Sequence, residues 1–131
     1  MLVLEAKAVT QLKIKQHFGK GGFKHQLYCQ LIKNWLETQG WKARIEATAY
    51  PSKKLIDVIA EKDKETVGYE VTLHFENLEG NIEKDLAAIN TLIIVVEDKD
   101  VTKAQEVIEK CKQTLTPNKH LDVSTINKFF L

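Results

Sequence analysis

Two carboxylates stand in a stretch that otherwise reads as strand. Residues 55–75, LIDVIAEKDKETVGYEVTLHF, alternate as two arms around a polar KDKE loop, with Asp57 in the first arm and Glu70 in the second. Strand interiors are depleted in Asp and Glu, because a half-buried carboxylate loses hydration it must recover elsewhere. With the four-residue loop, Glu61 faces Thr66, and counting back two for two sets Asp57 directly opposite Glu70. Opposed residues share a sheet face, with Cβ atoms about 4.5–5.5 Å apart. Thr72 and His74 fall on that face, and Val67, Tyr69, Val71, Leu73 and Phe75 on the other. A one-residue slip of register would part the two acids. Facing carboxylates repel unless one takes a proton or a cation sits between them. Mg²⁺ and Mn²⁺ accept such hard oxygen ligands and keep several waters. An ion held this way activates water and stabilises charge on a phosphodiester oxygen. The same two acids also fit a plain exposed pair neutralised by Lys or Arg.

The elements that must position these acids follow from periodicity. Leu27, Tyr28, Leu31, Ile32, Trp35 and Leu36 recur at helical spacing and predict a helix over about 23–39, ended by Gly40. Trp41, Ala43, Ile45 and Ala47 alternate with Lys42, Arg44, Glu46 and Thr48 as a strand. After the hairpin, residues 80–90 read as a helix with Ile82, Leu86 and Ile89 inward. The run LIIVV, 92–96, suits a strand buried on both faces. A helix between the second hairpin arm and this strand implies a parallel crossover. Thr102–Gln105 has the form of a capping box and opens a helix to about Leu115, stopped by Pro117. The tail is expected to form a short final helix docking Ile126, Phe129 and Phe130 on the body, or else a homodimer contact. The order α-β-β-β-α-β-α predicts an α/β protein, a three-layer α/β/α sandwich with a mixed sheet. The domain spans 23–131 with C-terminal helices, behind an N-terminal arm, 1–22.

Composition narrows the function classes. The chain has 131 residues, 44% of them hydrophobic and 28% charged, which suits one globular domain. No apolar run approaches the roughly 20 residues needed to cross a bilayer, and the N-terminal stretch lacks the form of a signal peptide. Cys29 and Cys111 sit in apolar helical patterns and read as buried free thiols in a reducing compartment, the cytoplasm. Without a CxxC, and with His17, His25, His74 and His120 outside finger spacing, a structural zinc site is not expected. The loop GKGG, 19–22, lacks the P-loop pattern, although it feeds a helix N-terminus that could meet a phosphate. The net charge of +1 is unevenly spread. Residues 1–54 carry ten basic residues against three acids, and 55–131 carry nine against fifteen. A basic half is a common footprint for polyanion binding.

A helix with His25 near its start, Asp57 in the second strand and Glu70-Val71-Thr72 in the third resembles the PD-(D/E)XK nuclease superfamily. The order αβββαβ over about 23–96 is similar to the core of restriction-endonuclease-like domains. The resemblance implies that Asp57 and Glu70 hold Mg²⁺ or Mn²⁺. Thr72 takes the place of the motif lysine, which positions the attacking water and supplies positive charge. Ile56 stands where that motif has its proline. His25 near the phosphate and Glu46 near the metal are implied accessory groups. DNA is the implied partner, with Lys20, Lys24, Arg44, Lys53 and Lys54 on its phosphates. Metal-dependent hydrolysis of DNA is thus the first expectation. A degenerate nuclease-fold module that binds nucleic acid or a protein without turnover is the second, and a structural or oligomerising module the third.

Overall fold

The computed structural model describes residues 22–46 and 56–130. Residues 1–21 of the expected arm, together with Lys20, Lys53 and Lys54, lie outside them. The first helix, α1, covers residues 22–38. It ends where glycine was expected to end it: Gly40 has φ +88°. The Trp41 N–H donates to Leu36 O at 3.0 Å and the Gly40 N–H to Glu37 O at 3.2 Å. These are the paired bonds of a Schellman cap, which satisfy carbonyls the helix leaves open.

Five strands form one mixed sheet in the order β1-β2-β3-β4-β5. They are β1 (Lys42–Ile45), β2 (Val58–Lys62), β3 (Glu65–Val71), β4 (Thr91–Val96) and β5 (His120–Thr125). β1, β2 and β3 run as an antiparallel meander, and β3, β4 and β5 are parallel neighbours. Two further helices, α2 (Leu78–Ala88) and α3 (Val101–Lys112), make the β3-to-β4 and β4-to-β5 connections. The protein is therefore α/β, with a five-stranded mixed sheet and three α-helices among the described residues. No helix among the described residues is long and apolar enough to cross a membrane.

Period-two alternation in the strands builds two cores. On one face Ala43, Val58, Ala60, Tyr69, Val71 and Val95 meet the α1 stripe of Tyr28, Cys29, Leu31, Ile32 and Leu36. On the other, Leu92, Ile94, Val96 and Leu121 meet Leu78, Ile82 and Leu86 of α2 and Ala104 and Ile108 of α3. β4 supplies residues to both, as its continuous apolar run requires. At Gly68 β3 passes close to its cover, because a Cβ there would run into Ile89 and Ile56.

The hairpin keeps the expected register, Glu61 opposite Thr66, but with a shorter turn. Lys62 pairs with Glu65, so only Asp63 and Lys64 turn the chain. Their φ angles, +49° and +72°, are those of a type I′ turn. The twist of this turn matches that of the strands, so the outer residues of KDKE join the ladder.

Three expectations are corrected. The C-terminal part is not helical throughout: after α3 the chain forms β5, a fifth strand paired to β4. Its sequence, HLDVST, is half-exposed and carries too few apolar residues to announce a strand. The tail then makes only one 3-10 turn, Ile126–Phe129, which buries Ile126 and Phe129 and leaves Phe130 exposed. The expected capping box is not at a helix start. A 3-10 turn, Asp98–Asp100, leads into α3 at Val101, which places Thr102 inside the first turn. Finally, β3 stops at Val71 and the chain bends at Leu73, so His74 is exposed rather than aligned on the face of Glu70.

Candidate functional site

The N-terminal end of α1 is fixed to the sheet at two points. His25 Nε2 lies 3.0 Å from Asp57 Oδ2. One turn on, the Tyr28 hydroxyl donates to Glu97 Oε2 at 2.9 Å, and Lys24 Nζ meets the same oxygen at 2.9 Å. Glu97 follows the last residue of β4. The Lys24 bond, with help from Tyr28, holds the Glu97 carboxyl below its ordinary range. Burial, reinforced by the bond to Glu97, pushes the Tyr28 phenol up to about 12.

Asp57 lies in the bend just before β2. Its backbone extends the meander, since Glu46 N–H donates to Asp57 O at 2.9 Å. The register of β2 and β3 carries on to set Asp57 opposite Glu70, as the sequence predicted. The two side chains are tied into each other's strands. Val71 N–H donates to Asp57 Oδ2 at 2.8 Å, and Asp57 N–H donates to Glu70 Oε1 at 3.3 Å. Glu70 is 2% exposed and Thr72 6% exposed. Thr72 holds the sheet through its backbone, donating its N–H to Val95 O at 2.9 Å.

A cleft of about 350 Å³ opens beside this pair. It is lined by Gly22 and His25 of α1, by Glu70, Val71, Thr72, Leu73 and His74 at the end of β3, and by Asn81 of α2. Neither lysine nor arginine is among these lining residues. A larger groove, about 570 Å³, runs between α2 and α3 past Glu79, Lys110 and Cys111, and shares no lining residue with the first.

The remaining candidates are placed elsewhere or otherwise engaged. Arg44 pairs with Glu46, just past the end of β1, and with Glu61 across the strands. Glu46 is therefore held by a guanidinium, and Lys24 is held by Glu97.

One residue missed in the sequence stands against the site. Cys29 follows His25 by one helical turn, and its Sγ is 3.8 Å from His25 Nδ1. Ligand atoms of His25, Cys29 and Asp57 all lie within 4.8 Å of one another. Neither Glu70 nor Glu46 belongs to this group. Cys29 is 1% exposed, and burial, then the Asp57 and Glu70 charges, push its thiol well above the ordinary range. The signal available was the i, i+4 spacing of His25 and Cys29, which puts both on one helix face.

Donors of nitrogen, sulfur and oxygen around Asp57 do not match the all-oxygen shell that Mg²⁺ prefers. No protein-family model matches the chain, and no curated protein matches it.

Proposed function

We propose that this chain is a restriction-endonuclease-like module, a relative of PD-(D/E)XK nucleases, that binds DNA without hydrolysing it. The observation that carries this reading is Thr72. It takes the place of the motif lysine, it is buried, and no lysine or arginine lines the adjoining cleft among the described residues. Phosphoryl-transfer catalysis rests on electrostatic stabilisation of developing charge. A buried hydroxyl cannot supply it. The acids support the same conclusion, since Asp57 and Glu70 each accept a backbone N–H and so serve the sheet. The element order α1-β1-β2-β3-α2-β4 and the opposition of Asp57 to Glu70 support the fold assignment. The basic surplus of residues 1–54 supports a polyanionic partner.

Metal-dependent hydrolysis of DNA is the second reading. It is favoured by the cleft itself, which gathers His25, Glu70 and Thr72 at the end of β3 within a strand's width of Asp57.

The test incubates wild type and Asp57→Ala with mixed single-stranded and duplex DNA in Mg²⁺ or Mn²⁺, and measures DNA affinity across a salt series. Binding that weakens with salt, survives chelation and yields no cleavage supports the binding module. Cleavage by the wild type that is lost in a folded Asp57→Ala overturns it for the hydrolase. Absence of DNA affinity at low salt overturns both and leaves a structural module.

A further inference from the structure

The group at the base of α1 has a different character from a magnesium site. Cys29 supplies a soft sulfur, His25 a borderline nitrogen and Asp57 a hard oxygen, and the ligand atoms lie within 4.8 Å of one another. Zinc takes this mixture of donors, with Zn–S about 2.3 Å and Zn–N about 2.0–2.1 Å in tetrahedral sites. At a tetrahedral angle these lengths put neighbouring ligand atoms about 3.3–3.6 Å apart. Asp57 Oδ2 stands 3.0 Å from His25 Nε2 and Cys29 Sγ 3.8 Å from His25 Nδ1, and a single ion takes only one of these two ring nitrogens. With one ligand atom from each residue the three lie within 4.8 Å of one another, so side-chain rotation closes the set to the tetrahedral spacing.

We propose that His25, Cys29 and Asp57 form a binding site for a zinc-class divalent cation, with water in the fourth position. His25 and Cys29 stand one turn apart on α1, and Asp57 is held by the Val71 N–H on the adjoining strand. His25, 30% exposed in its side chain, opens the site to the cleft, and Cys29 closes its inner wall. Binding forms a metal–sulfur bond as the Cys29 S–H proton leaves to solvent. The ion would join α1 to the start of β2, and its charge would face the same cleft as Glu70. The site stands whether or not the module binds DNA.

The experiment uses the full chain stripped by chelation. Zn²⁺ is titrated calorimetrically into wild type, Cys29→Ser, His25→Ala and, as a control, Cys111→Ser. Co²⁺ absorbance then serves as an independent probe of thiolate ligation. We expect one equivalent of Zn²⁺ to bind the wild type and Cys111→Ser alike. Loss of either Cys29 or His25 should weaken affinity by about 100-fold or more, beyond the ~10–100-fold typical of removing a supporting residue. Co²⁺ should give the intense charge-transfer band of a bound thiolate in wild type and not in Cys29→Ser. Circular dichroism of each variant confirms that it is folded. Equal Zn²⁺ affinity in wild type and Cys29→Ser, binding lost with Cys111, absence of the thiolate band, or no binding at all overturns the proposal. If Cys29→Ser fails to fold, His25→Ala and the Co²⁺ spectrum of the wild type decide the question.

Discussion

The Asp57 carboxylate accepts the Val71 backbone N–H at 2.8 Å, so a side chain does in this corner of the sheet what a ladder carbonyl does elsewhere. The same oxygen, Oδ2, faces His25 Nε2 at 3.0 Å. One atom thereby joins β3 to α1, and Asp57 has a structural task that holds with or without a metal.

Replacing Asp57 with Ala should therefore destabilise the metal-free protein. The Val71 N–H and the His25 ring lose their acceptor in a half-buried place, at a cost of about 1–3 kcal/mol. Asp57→Asn keeps one acceptor oxygen and should cost less. Urea unfolding in chelator measures both variants. Equal stability of Asp57→Ala and wild type would mean that water replaces the carboxylate without loss.

At Gly68 the backbone of β3 comes close to its cover. A Cβ there would collide with the tip of Ile89 and would stand 3.0 Å from Ile56 Cγ2. Gly68→Ala should cost about 1–3 kcal/mol through overpacking. Ile89→Ala in the same background should recover part of that loss, because the clash is with the end of a side chain. The double-mutant cycle should show a favourable coupling of about 1 kcal/mol. A coupling near zero would place the strain at Ile56 instead.

How far the sequence reached is visible at these same residues. The register that opposes Asp57 and Glu70 was legible because it depends only on alternation and on the pairing of Glu61 with Thr66. The buried character of β4 was legible from five apolar residues in a row. β5 was not, because its strand is stabilised by pairing with β4 and by α3 rather than by its own apolar content. The turn length was misread because Lys64 at positive φ goes against local preference. Cys29 was overlooked as a partner of Asp57 because their proximity comes from packing α1 on the sheet. Sequence spacing shows only the His25–Cys29 half of that relationship.

The hairpin turn is open to improvement for the same reason. Type I′ turns favour Asn-Gly, since both central residues need positive φ. Asp63→Asn with Lys64→Gly should raise stability by about 0.5–1 kcal/mol, the relief of left-handed strain being partly offset by the flexibility glycine adds to the unfolded chain. Thermal and urea unfolding of the double variant check the sign. A decrease would mean that the Lys64 side chain stabilises the turn more than its backbone strain costs.

Glu97 gives the protein an acid-sensitive fastening. Its carboxyl is held low, first by the Lys24 bond and then by Tyr28. A carboxyl depressed in the folded state contributes stability above its unfolded value, near 4.5, and loses it as pH falls through the folded value. The stability difference between wild type and Glu97→Gln should therefore be present at pH 7 and shrink steadily below pH ~4.5. It should be modest, under about 1 kcal/mol, because Lys24 is half exposed and solvent screens the pair. Tyr28 gives the opposite limb. Its phenol is raised to about 12, so its contribution is intact below the ordinary value of 10 and is lost as pH rises toward 12. Burial also raises the Tyr69 phenol, so phenolate absorbance should show late titration from both Tyr28 and Tyr69 in wild type, and Tyr28→Phe should remove the Tyr28 share of it. A pH-independent difference between wild type and Glu97→Gln, together with a late titration that Tyr28→Phe leaves unchanged, would mean that Lys24, Tyr28 and Glu97 are not joined in solution.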